Sequence, residues 1–172
     1  MIRASPTGGG AESHYPCMKT EDICSLIVPS ADDSVLLLWT TFPQLEEAFR
    51  VLKAWGFKYK TGAFTWVKTN KDGSVYMGMG RHTRANAEIC LLATKGKGVP
   101  RINASVYNTQ LHQRSRHSQK PEAFRHEIVR LYGELPRLEM FARYPSEGWD
   151  VWGNEVKCDV AIRALQGKGE RV

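Results

Sequence analysis

Apolar residues recur along this 172-residue chain in two patterns, unbroken runs and stripes at helical spacing. Ser34–Trp39 (Ser-Val-Leu-Leu-Leu-Trp) is an unbroken run, as expected of a strand covered on both faces. Leu45, Ala48, Phe49, Leu52 and Trp55 then fall on one helical face. Thr41-Phe-Pro-Gln44 supplies a capping-box start for that helix, and Gly56 its stop. Phe57–Lys68 is rich in β-formers and precedes a polar turn at Asn70–Gly73. A buried strand is predicted at Glu88–Ala93, and the segment after it has no periodicity. Pro121 opens a second amphipathic helix, with Phe124, Ile128, Leu131 and Tyr132 as its stripe and Gly133 as its end. Short elements complete the reading: a helix near Thr20–Leu26, strands near Leu138–Ala142 and Trp149–Val156, and a tail, Lys157–Val172, that is a short helix or frayed.

Strands alternating with helices predict an α/β sandwich with a largely parallel sheet. Ligands bind beyond the carboxyl ends of such strands, so the polar residues after Trp39, Trp66, Ala93 and Ala142 are expected to share one rim. The length suits one domain, with residues 1–10 as a flexible arm, 11–156 as the domain and 157–172 as the tail. Apolar stretches fall short of the ~20 residues of a membrane span, and the start does not read as a signal peptide. Four cysteines far apart, without a Cys-x-x-Cys, fit reduced thiols in a cytoplasmic protein and no bound metal.

Charge changes the picture. From Lys95 to Arg130 there are eight Lys or Arg (Lys95, Lys97, Arg101, Arg114, Arg116, Lys120, Arg125, Arg130) against Glu122 and Glu127, an excess equal to the whole chain's +6. The sequence therefore places its positive charge on one loop and the helix after it, a place for a polyanion to bind. Gly78-Met-Gly80, followed by Arg81, His82 and Arg84, is a second glycine-bearing loop, but a lone Gly-x-Gly without a helix behind it is weak evidence for phosphate binding.

Seven phrases in one order add specificity: Ala11-Glu-Ser-His-Tyr-Pro-Cys-Met18, Leu38-Trp-Thr40, Trp66-Val-Lys-Thr-Asn70, Arg84-Ala-Asn-Ala-Glu88, His117-Ser-Gln-Lys-Pro121, Glu139-Met-Phe-Ala-Arg143 and Gly153-Asn-Glu155. Their order resembles the MT-A family of adenine-N6 methyltransferases, the family of the seventy-kilodalton subunit of the mRNA adenosine methyltransferase. The bacterial and phage branch is the nearest in appearance. The resemblance implies a Rossmann-like, S-adenosylmethionine-dependent methyltransferase fold with a permuted motif order, here lacking its N-terminal strand or strands. It implies that Lys120, Arg143, Asn154 and Glu155 contact S-adenosylmethionine, through carboxylate and ribose oxygens. It places Tyr15, Trp66, Lys68, Asn70 and Glu88 around the target adenine, with Tyr15 and Trp66 suited to stacking an extruded base. Arg81, Arg84, Arg114, Arg116 and His117 would hold phosphates of a nucleic acid, DNA in preference to RNA.

One motif of the family, Asp-Pro-Pro-Trp, is missing, and neither Asp-Pro-Pro nor Asn-Pro-Pro occurs in the sequence. No catalytic residue is assigned for that reason. An N-terminally truncated enzyme, a non-catalytic nucleic-acid-binding or scaffold subunit of a methyltransferase complex, and one half of a split enzyme completed by a partner are the three readings that remain.

Overall fold

The computed structural model describes residues 18–114 and 120–165. A first short helix, α1 (Thr20–Ser25), leads to strand β1 (Ser34–Thr40). A single 3-10 turn over Phe42–Gln44 then enters α2 (Leu45–Ala54). The Thr41 hydroxyl accepts no cap hydrogen bond here; Pro43 fixes the first turn instead, so the capping box read from the sequence does not form. Gly56, at φ +76°, reverses the chain into β2 (Lys58–Thr69), where a residue with a Cβ would be strained.

β2 returns through residues 70–86 into β3 (Ala87–Lys95), which lies between β1 and β2 and is antiparallel to both. A fourth strand, β4 (Thr109–Gln113), adds to the outer side of β2 in parallel, giving the order β1-β3-β2-β4. The largely parallel sheet expected from the sequence is thus a mixed one. The physical reason is the connection: no helix separates β2 from β3, and a direct loop can return only antiparallel, whereas a parallel neighbour needs a crossover.

Alternation along β3 divides the core. Leu91 and Ala93 face α1 and α2, where they meet Ile23, Ala48, Val51, Leu52, Trp55 and Phe57. Cys90, on the opposite face, packs with Phe64, Trp66 and Phe124, the last contributed by α3 (Ala123–Tyr132). Helices therefore cover both faces. β1, expected to be buried on both sides, is half-buried from Ser34 to Trp39 and fully buried only at Thr40. β5 (Leu138–Met140) and β6 (Asp150–Trp152) form a separate parallel pair.

Antiparallel pairing also redraws the expected rim. The ends of β1 and β2 at Trp39 and Trp66 do lie together, but beside them stands the beginning of β3, because Trp39 aligns with Cys90 and Trp66 with Glu88. Thr94 and Lys95, after Ala93, sit at the far end, opposite Ser34 and Val35. After β6 the chain forms no helix up to Leu165; it is pinned to the end of α1 by Ile27 N–H to the Arg163 carbonyl (2.7 Å) and Leu165 N–H to the Ser25 carbonyl (2.7 Å). No helix among the described residues is long and apolar enough to cross a membrane.

Candidate functional site

Glu88 is the second residue of β3, and the pleat turns its side chain toward the Cys90–Trp66 face rather than toward α2. It is only 4% exposed. A carboxylate at that depth needs cations, and the neighbouring elements supply two. Lys68, near the end of β2, donates to Glu88 Oε1 at 2.6 Å. Lys120, just before α3, brings its Nζ to 2.7 Å from Oε2. Each carboxylate oxygen thus faces one ammonium group.

Burial alone pushes the Glu88 pKa up, but Lys120 and then Lys68 outweigh it and hold the carboxyl below the ordinary glutamate range. The group is therefore ionised at neutral pH and acts as an acceptor. Two indole rings floor the cluster: Lys68 Nζ lies 5.1 Å from the Trp66 ring centre, and Lys120 Nζ 5.6 Å from Trp39 and 5.8 Å from Trp66. Attraction of ammonium to these faces helps keep both lysines turned inward.

Trp66 and Trp39 differ in availability. Trp66 is 3% exposed, packed with Phe64, Cys90 and Phe124, and its indole N–H donates to the His112 carbonyl at 2.9 Å. Trp39 is half-buried and meets Phe124 edge-on at 4.8 Å. Of the two, Trp39 presents more surface at the rim, although sequence reasoning singled out Trp66. The available signal was its position: Trp39 ends an apolar run just where a polar rim begins.

Asn70 is occupied by its own turn. Its side-chain amide donates to Ser74 Oγ (3.0 Å), and its backbone N–H to the Ser74 carbonyl (2.9 Å). Arg81, His82 and Arg84 are exposed on the loop from β2 to β3. The glycines there serve close backbone approach: a Cβ on Gly78 would lie 2.0 Å from the Ala85 carbonyl oxygen, and one on Gly80 1.9 Å from that of Thr83. Arg114 stacks on Tyr76 of this loop, with Cζ 4.1 Å from the ring centre. Tyr15, Arg116 and His117 lie outside the described residues.

The basic excess read from the sequence is not one patch. Lys120 is paired with Glu88, Arg130 with Glu127, and Lys95 stands at the opposite end of the sheet, donating to Ser30 Oγ. Arg125, which sequence reasoning counted as available charge, is 9% exposed and inside an ion-pair network. Its Nε donates to Glu139 Oε2 at 2.8 Å, and its guanidinium also meets Glu122 and stacks 4.4 Å from the Tyr144 ring centre.

A second group gathers at the carboxyl ends of β5 and β6, where ligands meet parallel strands. Arg143 Nε donates to Glu155 Oε1 at 2.8 Å, and Asn154 is exposed beside it. The two turns are pressed together: Ala142 N–H donates to the Trp152 carbonyl (3.0 Å), and a Cβ on Gly153 would lie 2.2 Å from the Ala142 oxygen. Phe141 turns the chain with φ +60°, an uncommon conformation for an aromatic residue. Glu122 links this group to the first. It follows Lys120 by two residues and accepts from Tyr144 Oη (3.2 Å) and Ser146 Oγ (3.0 Å), just beyond Arg143. Nothing in the sequence pattern marked Glu122 for that role.

A guanidinium, an amide and a carboxylate on adjoining turns provide donors for a carboxylate and an acceptor for hydroxyls. This donor set fits the amino-acid and ribose parts of a nucleoside cofactor.

Comparison with known proteins gives two findings. The sequence model of the MT-A70 family matches residues 2–155. The chain is also 38% identical, over 161 residues, to the type II methyltransferase M.MunI of Mycoplasma sp.. That alignment takes in 92% of this chain and 66% of the relative's length.

Proposed function

The chain belongs to the MT-A70 family, and from that premise we propose that it binds S-adenosylmethionine and nucleic acid, DNA in preference to RNA, as part of an adenine-N6 methyltransferase. The observation that carries this reading is the buried Glu88 carboxylate between Lys68 and Lys120, at a rim shared with Trp39 and adjoining the basic loop 75–86. An ionised carboxylate between two lysines at the rim suits the amino or ring edge of a base, and the exposed arginines suit phosphates.

In this reading Arg143, Asn154 and Glu155 hold the cofactor and Glu88 with Lys68 orients the base; Tyr15 and Trp39 offer stacking surface, the buried Trp66 and the turn-bonded Asn70 support the rim, and Arg81, Arg84, Arg114, Arg116 and His117 make phosphate contacts. When bound, S-adenosylmethionine supplies the electrophilic methyl group. Lys120 stands between the two groups, paired to Glu88 and two residues from the Glu122 tether. It keeps Glu88 ionised and is free to exchange that pairing for a ligand carboxylate.

The amino nitrogen of adenine is a poor nucleophile because its lone pair is delocalised into the ring. Aligned acceptors for its two N–H bonds localise that pair, an electrostatic effect worth several kcal/mol. The sequence has no Asp-Pro-Pro or Asn-Pro-Pro to supply them. We place those acceptors on another polypeptide segment, in cis or from a partner subunit, and expect binding without methyl transfer from these 172 residues alone.

Calorimetry with S-adenosylmethionine, alongside methyl transfer to an adenine-containing duplex, tests this. Binding without transfer is the expected result. No cofactor binding overturns the assignment, and robust transfer overturns the account of the acceptors.

A further inference from the structure

Among the described residues, the most exposed large apolar side chain at the rim is not in a groove but at the tip of the loop between β2 and β3. Met79 is 92% exposed and Met77 67%, with Val75 exposed at the loop's base. Apolar side chains held this far out in water lose favourable burial unless something covers them.

The loop is built to hold them out. Lys68 clamps both legs with its backbone: its N–H donates to the Asn86 carbonyl (2.8 Å), and its carbonyl accepts from Tyr76 N–H (2.8 Å). Gly78 and Gly80 then let the legs approach Ala85 and Thr83 more closely than any side chain would permit. Arg114 braces the root through Tyr76. The result is a thin, supported projection rising from the strands that carry Lys68 and Glu88.

Its charge is one-sided. From Gly73 to Ala87 there is no acid, and Arg81, His82 and Arg84 are exposed next to the methionines. A hydrophobic protein partner would be served by the methionines alone; flanking cations on a narrow element match a phosphate-lined groove with stacked bases inside it. We propose that residues 75–86 form a wedge that enters duplex DNA, with Met77 and Met79 inserted against unstacked bases while Arg81 and Arg84 grip the flanking phosphates. Apolar wedges of this kind unstack base steps and are held by neighbouring phosphate contacts. This rests on the nucleic-acid reading above and adds how the duplex is opened beside Glu88.

The test uses the full chain and an adenine-containing duplex with one adenine replaced by 2-aminopurine, whose fluorescence rises on unstacking. Met77→Ala with Met79→Ala should weaken binding about tenfold, abolish the fluorescence rise and leave the salt slope unchanged. Arg81→Ala with Arg84→Ala should lower the log–log salt slope by about 1.8. Both pairs are exposed, so unchanged melting temperatures are expected. Wild-type binding that the methionine variant reproduces in affinity and fluorescence overturns the wedge and leaves the nucleic-acid reading standing. No duplex binding by the wild-type chain overturns both. A methionine variant that only dissociates a dimer in sedimentation, with DNA affinity intact, assigns the patch to a second copy and overturns the wedge.

Discussion

Lys120 Nζ lies 2.7 Å from Oε2 of Glu88, joining the entrance of α3 to the start of β3. Sequence reasoning assigned these two residues to opposite sides of a reaction, one to cofactor and one to base. Their direct contact means that neither side can be perturbed alone.

Substitution of Glu88 should show this. Glu88→Gln removes the charge and leaves two ammonium groups with one neutral partner. Breaking a buried pair commonly costs 3–5 kcal/mol, but both lysines retain about a fifth of their side-chain exposure and can turn to water. A loss of about 2 kcal/mol in urea unfolding is expected. Weakened binding of both cofactor and oligonucleotide should accompany it, because Lys120 loses the carboxylate that positions it at the rim and turns to water.

The same carboxylate fixes a pH dependence. Its folded-state pKa is depressed, after burial is offset by Lys120 and Lys68. A depressed pKa means the stabilisation is complete above the unfolded value, near 4.5, and is lost as pH falls through the lower folded value. Wild type minus Glu88→Gln stability, measured by denaturation from pH 7 to pH 3, should be flat at first and then shrink in that acid window. A difference that grows on acidification would contradict the ion-pair account.

Arg125 offers a separate test away from the rim. Arg125→Ala should cost about 3 kcal/mol, since it strands Glu139 and removes the packing on Tyr144. Arg125→Lys should recover only part, because one ammonium cannot meet Glu122 and Glu139 as a planar fork does. Chemical denaturation measures both.

The sequence showed most of the elements and misjudged how they meet. β1, α2 and α3 were legible because their apolar runs or stripes are dense. β4 was not: Thr-Gln-Leu-His-Gln has one aliphatic residue, Leu111, and that one points to water. Its pairing with β2 is made by backbone, which leaves no trace in side-chain pattern. Likewise, the site's polar types were visible as Lys68, Glu88 and Lys120, but not their shared carboxylate, which depends on the antiparallel register of β2 with β3. Charge counting failed at Arg125 because a basic residue on a helix can face inward when an acid from another strand meets it.

At the β5–β6 turns, fold and binding can be separated by two substitutions. Arg143→Ala releases Glu155, itself half exposed, to solvent at little cost from that pair, while cofactor affinity falls about tenfold or more through lost charge-assisted hydrogen bonds. Gly153→Ala acts on the frame instead. Its Cβ would sit 2.2 Å from the Ala142 oxygen, a backbone atom that cannot swing aside as a side-chain tip can. The turns must part, breaking the bond from Ala142 N–H to the Trp152 carbonyl, and both melting temperature and cofactor affinity should drop. Calorimetry and thermal melting on the two variants decide the matter. If Arg143→Ala binds S-adenosylmethionine as the wild type does while Gly153→Ala does not, the turns shape the site and Arg143 is no ligand of it.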